Sequence, residues 1–185
     1  MLVAFTSAFP HVEIAIREGI ARRMLEMLAD GSLDVAFALE LDPPAGIERL
    51  ELSHEELVVV TSPVHPLAGE APVPIDALAG QPLIAFELGS STRLLLDREF
   101  ARAGIEPSIV VDGNDLALVR TLAARGLGVA ILPRSFAAQP GPRVSFRPLR
   151  PALEIRVALW WHAGRRLSPA ARAFVQFADA SRPDR

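Results

Sequence analysis

The stretch RTLAARGLGVAILPRS, residues 120–135, joins a predicted helix to a predicted strand and decides how the rest of the chain is interpreted. The helix ends at Arg125, because apolar residues recur before it at three- and four-residue spacing: Leu116, Val119, Leu122 and Ala123. Gly126 follows at the position where a left-handed C-cap favours glycine. Residues 129–132 are a wholly apolar run, typical of a strand covered on both faces.

The glycines of this stretch, Gly126 and Gly128, have the spacing found in some phosphate-binding loops. In a dinucleotide-binding fingerprint, however, the glycines follow a strand and open a helix, so that helix amides face the pyrophosphate. Here the order is reversed, since the glycines end a helix and precede a strand. The stretch therefore predicts a helix-to-strand connection, and no cofactor is expected.

The same alternation of strand-like and helix-like segments continues through the chain. The predicted strands include 12–17, 34–39, 47–52, 56–62, 82–86, 144–149 and 153–161. Predicted helices follow several of them, and the last helix begins at Ser168-Pro169, with a capping serine and a proline at its first position. Strands interleaved with helices of this length predict an α/β fold with a mostly parallel sheet.

Composition and motif spacing exclude several kinds of chemistry. The chain has no cysteine, which removes disulfides, thiolate metal sites and cysteine nucleophiles. Its histidines, at positions 11, 54, 65 and 162, lack HxxxH or HxH spacing, so no metal site is predicted. No serine lies in a GxSxG motif, and no catalytic residue is predicted.

Charge and hydropathy indicate which partners and which cellular location the sequence favours. The formal net charge is −3, so the chain as a whole lacks the basic footprint expected for direct binding to nucleic acid. The apolar N-terminus has no preceding basic segment and no clear cleavage site. No apolar run approaches the roughly 20 residues of a membrane span. The sequence therefore predicts a cytoplasmic protein without membrane contact.

Five segments, taken in order, resemble the effector-binding domain of the LysR-type transcriptional regulators. The resemblance covers about residues 2–180 and is carried by FPHVEIAIREG, LADGSLDVAFAL, ELVVVTSPVHPLAG, LAGQPLIAFELGSSTRLLLDREFARAGIEPSIVVDGNDLALVRTLAARGLGVAILPRS and LSPAARAFVQFAD. Each segment alone is a weak signal, whereas their order and spacing together are specific.

This resemblance implies a fold similar to the type 2 periplasmic binding proteins: two Rossmann-like α/β subdomains with a small effector in the cleft between them. The first subdomain would comprise 1–61 and 145–185, and the second 62–144. The hinge residues of the two crossovers would be Thr61, Ser62 and Val144. Breaks in periodicity agree with this division, because prolines interrupt the pattern after residue 62 and again at 139–143.

Two predicted helix starts are candidate effector sites in the second subdomain. The resemblance implies that Gly89, Ser90 and Ser91 line the cleft, although hydroxyls at a helix start are also favoured simply as N-caps. Asn114 and Asp115 begin the next helix, and this helix start should face the same cleft. They are therefore candidates as well, although both residues are also favoured simply as N-caps. Because Asp115 would repel an anion, the charge of the effector stays open.

In the first subdomain, Phe37 and Ala38 end a predicted strand, which is where open α/β sheets tend to bind ligands. Packing in the core is the competing explanation for Phe37. A metal is not expected at any of these candidates.

The resemblance implies a non-catalytic sensor that binds a small molecule, with an organic acid as one candidate, and controls transcription. Full-length regulators of this kind form dimers or tetramers and contact DNA through a winged helix-turn-helix domain that this chain does not contain. A solute-binding protein for transport would instead need an export signal, and an enzyme would need convergent acid, base or nucleophilic groups. Neither is evident in the sequence.

The N-terminal residues also carry an expectation. The chain begins with an apolar stretch that runs to Pro10. This stretch has no capping residue before it and resembles the interior of a helix. The resemblance implies a further strand upstream of this helix, as the neighbour of 12–17 and 34–39. Without that strand we expect an open apolar gap and a first subdomain less stable than the second.

Overall fold

The computed structural model describes residues 1–19, 21–40, 44–69 and 71–182. The helices are α1 (Leu2–Ala8), α2 (Ala21–Asp30), α3 (Ser91–Arg102), α4 (Leu116–Ala124), α5 (Arg134–Ala137) and α6 (Pro169–Ala180). The strands are β1 (Ala36–Glu40), β2 (Ile47–Thr61), β3 (Val73–Pro74), β4 (Pro82–Ala85), β5 (Ser108–Asp112), β6 (Val129–Pro133) and β7 (Ser145–His162). Short 3-10 helices occupy Pro66–Ala68 and Ile75–Leu78.

The helix-to-strand connection predicted from residues 120–135 is confirmed. Helix α4 ends at Ala124 with Arg125 as its C-cap, and Gly126 follows with a φ of +80°, the left-handed conformation that favours glycine. The amide of Leu127 donates to the carbonyl of Leu122 at 3.2 Å, which closes the helix end. Strand β6 is then buried at every position, as its apolar composition predicts.

Gly128 has a separate role, set by a neighbouring strand. A Cβ atom at this position would lie 2.4 Å from the carbonyl oxygen of Pro82 and 3.1 Å from its carbonyl carbon. These are backbone atoms of β4, which pairs with β6, and they cannot rotate out of the way as a side chain could. Glycine at 128 therefore allows β4 and β6 to approach each other.

The chain divides into two compact units. Unit 1 comprises Met1–Ser53 and Arg156–Arg185, and unit 2 comprises His54–Ile155. Strands β2 and β7 are hydrogen-bonded neighbours, and each continues from one unit into the other. The unit boundaries thus fall inside these two strands, whereas the sequence-based boundaries were placed at strand ends, where proline breaks the pattern.

In unit 2, helices and strands pack around one continuous apolar core. Its strands are ordered β2-β6-β4-β5, with β4 parallel to both β5 and β6, and β2 antiparallel to β6. Residues Val58–Val60 of β2 and Val129–Leu132 of β6 form the centre of the core, and α3 and α4 contribute Leu96, Phe100, Val119 and Ala123. The apolar face predicted for α4 therefore packs in this core, since Leu116 and Leu122 also lie against it.

Unit 1 contains two smaller core clusters. Its strand β1 pairs antiparallel with β7, with Ala36 opposite Trp160 and Ala38 opposite Ala158. One cluster comprises Phe5, Leu52, Leu159, Phe174 and Ala178. The other comprises Leu28, Ala36, Ala158 and Trp160. Helix α6 is capped as predicted, since the Oγ of Ser168 accepts a hydrogen bond from the Ala171 amide at 3.1 Å.

Three sequence-based strand predictions need correction. Residues 12–17 form neither helix nor strand. A strand is stabilised by a hydrogen-bonded neighbour, and the described part of unit 1 supplies none for this segment. The segments predicted as separate strands at 47–52 and 56–62 form the single strand β2, and those at 144–149 and 153–161 form β7. Ser53, His54 and Glu55 are exposed or half-buried, so their side chains stay in contact with water while the backbone continues the strand.

Candidate functional site

The candidate site in unit 2 lies at the carboxyl ends of two neighbouring parallel strands. Strands β4 and β5 pair with Ala85 opposite Asp112, so the loops that follow them leave the sheet side by side. The amide of Gly113 donates to the carbonyl of Ala85 at 3.1 Å and ties the two loops together. Helices α3 and α4 begin directly after these loops. In open α/β sheets this edge is the usual place for a ligand.

The start of α3 is fixed by its capping serine. The Oγ of Ser90 accepts a hydrogen bond from the Arg93 amide at 3.2 Å, and the Ser90 amide donates to the carbonyl of Glu87 at 3.2 Å. Gly89 is exposed and adopts a φ of +89°, which turns the chain into the helix. Ser91, the first helical residue, is partly exposed. Ser90 is therefore the N-cap of α3. Its hydroxyl oxygen accepts a hydrogen bond in this role, so its hydroxyl hydrogen can still donate to a ligand.

Arg93 is buried behind this helix start and holds the loop in place. Its guanidinium donates to the carbonyl of Phe86 at 2.9 Å and to the carboxylate of Asp97 at 2.8 Å. Because these contacts occupy the guanidinium within unit 2, Arg93 stabilises the conformation of the loop after β4. Sequence reasoning did not single out this residue, since an arginine on a helix usually lies on the solvated face.

Asn114 is paired with a residue that sequence reasoning missed, Glu87. The amide nitrogen of Asn114 donates to the Glu87 carboxylate at 2.6 Å, and the backbone amide of Glu87 donates to the Asn114 side-chain oxygen at 3.4 Å. The pair joins the loop after β4 to the loop after β5. The only sequence signal was the position of Glu87 directly after a buried strand, at the edge where ligands bind.

Asp115 is the N-cap of α4. Its Oδ1 accepts hydrogen bonds from the amides of Ala117 at 2.9 Å and Leu118 at 3.0 Å. Glu87 and Asp115 thus place two carboxylates at an edge where two helix N-termini contribute partial positive charge. The arrangement combines hydroxyl and amide donors with acidic acceptors, which suits a ligand rich in hydroxyl groups.

The candidates in unit 1, Phe37 and Ala38, point to opposite faces of β1, as adjacent strand residues do. Phe37 is 48% exposed and its ring packs edge-on against Phe174 of α6, with centroids 6.0 Å apart. Ala38 packs against the cluster that contains Leu28 and Trp160. The two residues therefore cannot line one face together, and Phe37 is neither fully exposed nor a core residue.

The predicted hinge residues all lie within unit 2. Thr61 is the last residue of β2 and is buried, Ser62 follows it and is also buried, and Val144 directly precedes β7 and packs against the unit 2 core. Their role as hinges stays a prediction.

The described residues contain no group of three histidine, aspartate or glutamate side chains that could hold a metal ion. Within the same part of the chain, no helix has the length and apolar character needed to cross a bilayer.

Hydrogen bonds from the side chain and backbone of Ser32 lower the pKa of Asp30, the last residue of α2.

Comparison with curated proteins finds regulators of transcription. The chain is 28% identical over 177 residues to YybE of Bacillus subtilis (strain 168), described as an uncharacterized HTH-type transcriptional regulator, with 96% of this chain and 61% of that protein covered. It is 27% identical over 183 residues to the transcriptional dual regulator GltC of the same organism, covering 96% of this chain and 60% of GltC. The chain thus spans about three fifths of the length of these relatives.

Comparison with solved structures agrees with the fold. The C-terminal domain of a probable LysR family transcriptional regulator from Rhodococcus sp. RHA1 superimposes with a TM-score of 0.85 at 29% identity, covering 96% of this chain and 89% of that one. The effector-binding domain of QuiR in complex with shikimate gives a TM-score of 0.85 at 26% identity, covering 99% and 88%.

The family model described as the LysR substrate binding domain matches residues 1–182, nearly the whole chain. Its match agrees with the α/β architecture and with the relatives found. The chain is a member of the LysR substrate-binding domain family.

Proposed function

We propose that this chain is the sensor portion of a transcription regulator and that it recognises a small hydroxylated molecule through the loops after β4 and β5. The observation that carries the proposal is the convergence of two helix starts, with Ser90, Ser91 and Asn114, at one edge of a parallel pair of strands. Helix starts leave amide groups without intrahelical partners, and serine hydroxyls add donors beside them. The effector-binding domain of QuiR, a neighbour of similar fold, was solved in complex with shikimate, a hydroxylated acid.

The carboxylates of Glu87 and Asp115 shape the choice of ligand. Each can accept hydrogen bonds from ligand hydroxyls, whereas each repels a ligand carboxylate that approaches closely. A hydroxylated ligand with its acidic group held at a distance from these residues, or a neutral polyol, fits this balance best. A small anion with several charges fits it less well.

Binding would involve no catalysis. The protein would form a homo-oligomer, and a separate domain would pass the signal to DNA. The relatives extend beyond the region matched by this chain, which leaves room for such a domain in proteins of their length. As a regulator of transcription, the protein would work in the cytoplasm. A ligand can shift the conformation only by its difference in affinity for the two states.

The serine pair gives the direct test of the binding site. We expect Ser90→Ala combined with Ser91→Ala to weaken ligand binding by roughly 1–3 kcal/mol, because hydrogen bonds to a charged or strongly polar ligand are lost. Shikimate and a panel of small hydroxy acids and polyols would first be screened by thermal shift, since a ligand that binds the native state raises its melting temperature. Calorimetry would then give the affinity of the best compound.

Ser91→Ala alone separates binding from folding, because Ser90 and not Ser91 caps α3. Ser135→Ala, at an exposed serine on α5, is the matched control and should leave affinity unchanged. Equal affinity of the double variant and the wild type would contradict the site. No binding by any compound of the panel would count against a hydroxylated ligand.

Glu87 tests the charge preference of the site. We expect Glu87→Gln to tighten binding of an anionic ligand about five-fold, because removal of one nearby charge is worth roughly 1 kcal/mol in a solvated setting. Glutamine still offers an oxygen to the Asn114 amide, so the link between the loops is retained. Glu106→Gln, at an exposed glutamate, changes the net charge equally and should have no effect. An equal response of both variants would show that only the overall charge matters.

A further inference from the structure

The loop from β4 to α3 has its backbone groups held at four points. The carbonyl of Ala85 accepts from the Gly113 amide at 3.1 Å, and the carbonyl of Glu87 accepts from the Ser90 amide at 3.2 Å. Between these two contacts, the peptide group that joins Phe86 to Glu87 is held on both sides. The segment that presents the Glu87 carboxylate therefore has a fixed backbone.

The peptide between Phe86 and Glu87 has one partner for its carbonyl and another for its amide. The Phe86 carbonyl accepts from Nη1 of Arg93 at 2.9 Å, and the Glu87 amide donates to Oδ1 of Asn114 at 3.4 Å. Rotation of this peptide would break both contacts and turn the Glu87 side chain away from Asn114. Asn114 lies at the candidate site itself, whereas Arg93 is a buried residue of α3.

Arg93 can hold this carbonyl only while its own guanidinium is oriented. Its side chain is 11% exposed, and its Nε donates at 2.8 Å to Oδ1 of Asp97, one turn further along α3. A buried guanidinium needs a counter-charge, because an unpaired charge removed from water is strongly unfavourable. The Asp97 carboxylate supplies that charge and fixes the direction in which Nη1 meets the Phe86 carbonyl.

Asp97 itself lies in the second turn of α3, and its side chain is 38% exposed. In the part of the chain that the structure describes, its carboxylate makes no hydrogen bond to Ser90, Ser91 or Asn114. Any influence of Asp97 on a ligand in the site must therefore pass through Arg93 and the loop that Arg93 holds.

We propose that Asp97 is a positioning residue, which sets the direction of the Glu87 carboxylate through Arg93 and the Phe86 carbonyl. This inference rests on the proposed function, because it assigns a more distant residue to that same site. Oε2 of Glu87 accepts from Asn114, so Oε1 is the oxygen that would accept from a ligand hydroxyl. A change at Asp97 should thus alter ligand affinity without removing a group that touches the ligand.

The first measurement needs no ligand. In the wild type, nitrogen-15 relaxation should give backbone order parameters of about 0.85 at Phe86 and Glu87, as in a rigid backbone. Asp97→Asn should lower them to about 0.6, because asparagine keeps the size of the side chain but gives Arg93 no counter-charge. Asp97→Glu retains the charge and should restore most of the order. Unchanged order parameters in Asp97→Asn would overturn the proposal.

The second measurement is the affinity for the best compound of the hydroxy acid and polyol panel, by calorimetry at a temperature where every variant is folded. Asp97→Asn should weaken binding about five-fold, an effect within the range of indirect coupling between sites. Asp97→Glu should recover most of this loss. For an anionic compound the sign is decisive, because removal of a negative charge would by itself tighten binding.

Glu99→Gln is the matched control. It removes the same charge from another ion pair of α3, in which Glu99 accepts from Arg102 at 2.6 Å in the last turn of the helix. This variant should not weaken binding. Weakening equal to that of Asp97→Asn would mean that any loss of an ion pair in α3 disturbs the site, and it would overturn the specific role of Asp97.

A double-mutant cycle tests the route of the effect. Glu87→Ala removes the group that Asp97 is proposed to orient, so adding Asp97→Asn should then change affinity by less than about 1.5-fold. A loss of about five-fold in that background would overturn the proposal, as would equal affinity of Asp97→Asn and the wild type. If no compound of the panel binds, the proposed ligand class fails, and the relaxation measurement alone decides whether Asp97 positions the loop.

Discussion

Arg120→Met is expected to lower the free energy of unfolding of unit 2 by about 3 kcal/mol, because it removes a buried charged donor that satisfies three backbone carbonyls. The Arg120 side chain is only 8% exposed. Its guanidinium donates to the carbonyls of Ala137 at 3.2 Å, Gln139 at 2.8 Å and Pro142 at 3.0 Å. These bonds hold the connection between α5 and β7 against α4. Methionine keeps much of the volume but leaves the carbonyls without this donor.

The measurement is urea unfolding of the 185-residue chain followed by far-ultraviolet circular dichroism. Both tryptophans, Trp160 and Trp161, belong to unit 1, so their fluorescence gives a separate reading of that unit. Arg98→Met, at an exposed arginine on α3, is the matched control and should change stability by less than about 0.5 kcal/mol. Arg120→Lys should fall between methionine and the wild type, because an ammonium group cannot reach all these carbonyls at once. An unchanged midpoint for Arg120→Met would contradict the bracing role.

Gly128→Ala is expected to destabilise unit 2 by about 3 kcal/mol, the upper end of the usual cost of overpacking. The added methyl group would lie 2.4 Å from the Pro82 carbonyl oxygen, so β6 and β4 would have to separate. Strand β4 also pairs with β5, and the loops after these two strands form the candidate site. We therefore expect the substitution to weaken ligand binding as well as folding.

Gly113→Ala is the matched control, because a Cβ atom at Gly113 meets no other atom within 4 Å. It should leave stability unchanged or raise it slightly, since alanine reduces the conformational freedom of the unfolded chain. The comparison uses the same urea titration. Equal midpoints for the two alanine variants would show that β4 and β6 can move apart at no cost, contrary to the close approach seen here.

The family and the fold class could be predicted from the sequence because they depend on local order. The helix end at Arg125, the left-handed Gly126 and the buried strand after it follow from spacing and from the conformational freedom of glycine, which act within a few residues. The serine cap of α6 is local in the same sense. Such signals repeat in a fixed order along the chain, and that order identified the family.

The candidate site could be predicted only in part. Ser90 and Asp115 were found because capping residues are visible in the sequence, and both cap as expected. Glu87 and Arg93 were missed, because their importance depends on partners that only folding brings close: Asn114 for the first, and the Phe86 carbonyl for the second. Phe37 and Ala38 were chosen because they end a predicted strand, whereas strand geometry sends their side chains to opposite faces.

The sequence by itself determined the α/β fold class, the helix-to-strand connection at residues 120–135, the serine cap of α6 and the membership of the LysR substrate-binding domain family, since these follow from interactions between residues close in the chain. The tertiary structure alone decided that β2 and β7 run unbroken, that Gly128 must be glycine because Pro82 lies against it, and that residues 12–17 form no strand. Each of these depends on a neighbour distant in sequence. A strand in particular exists only with a partner for its backbone groups, and no pattern within the strand can supply one.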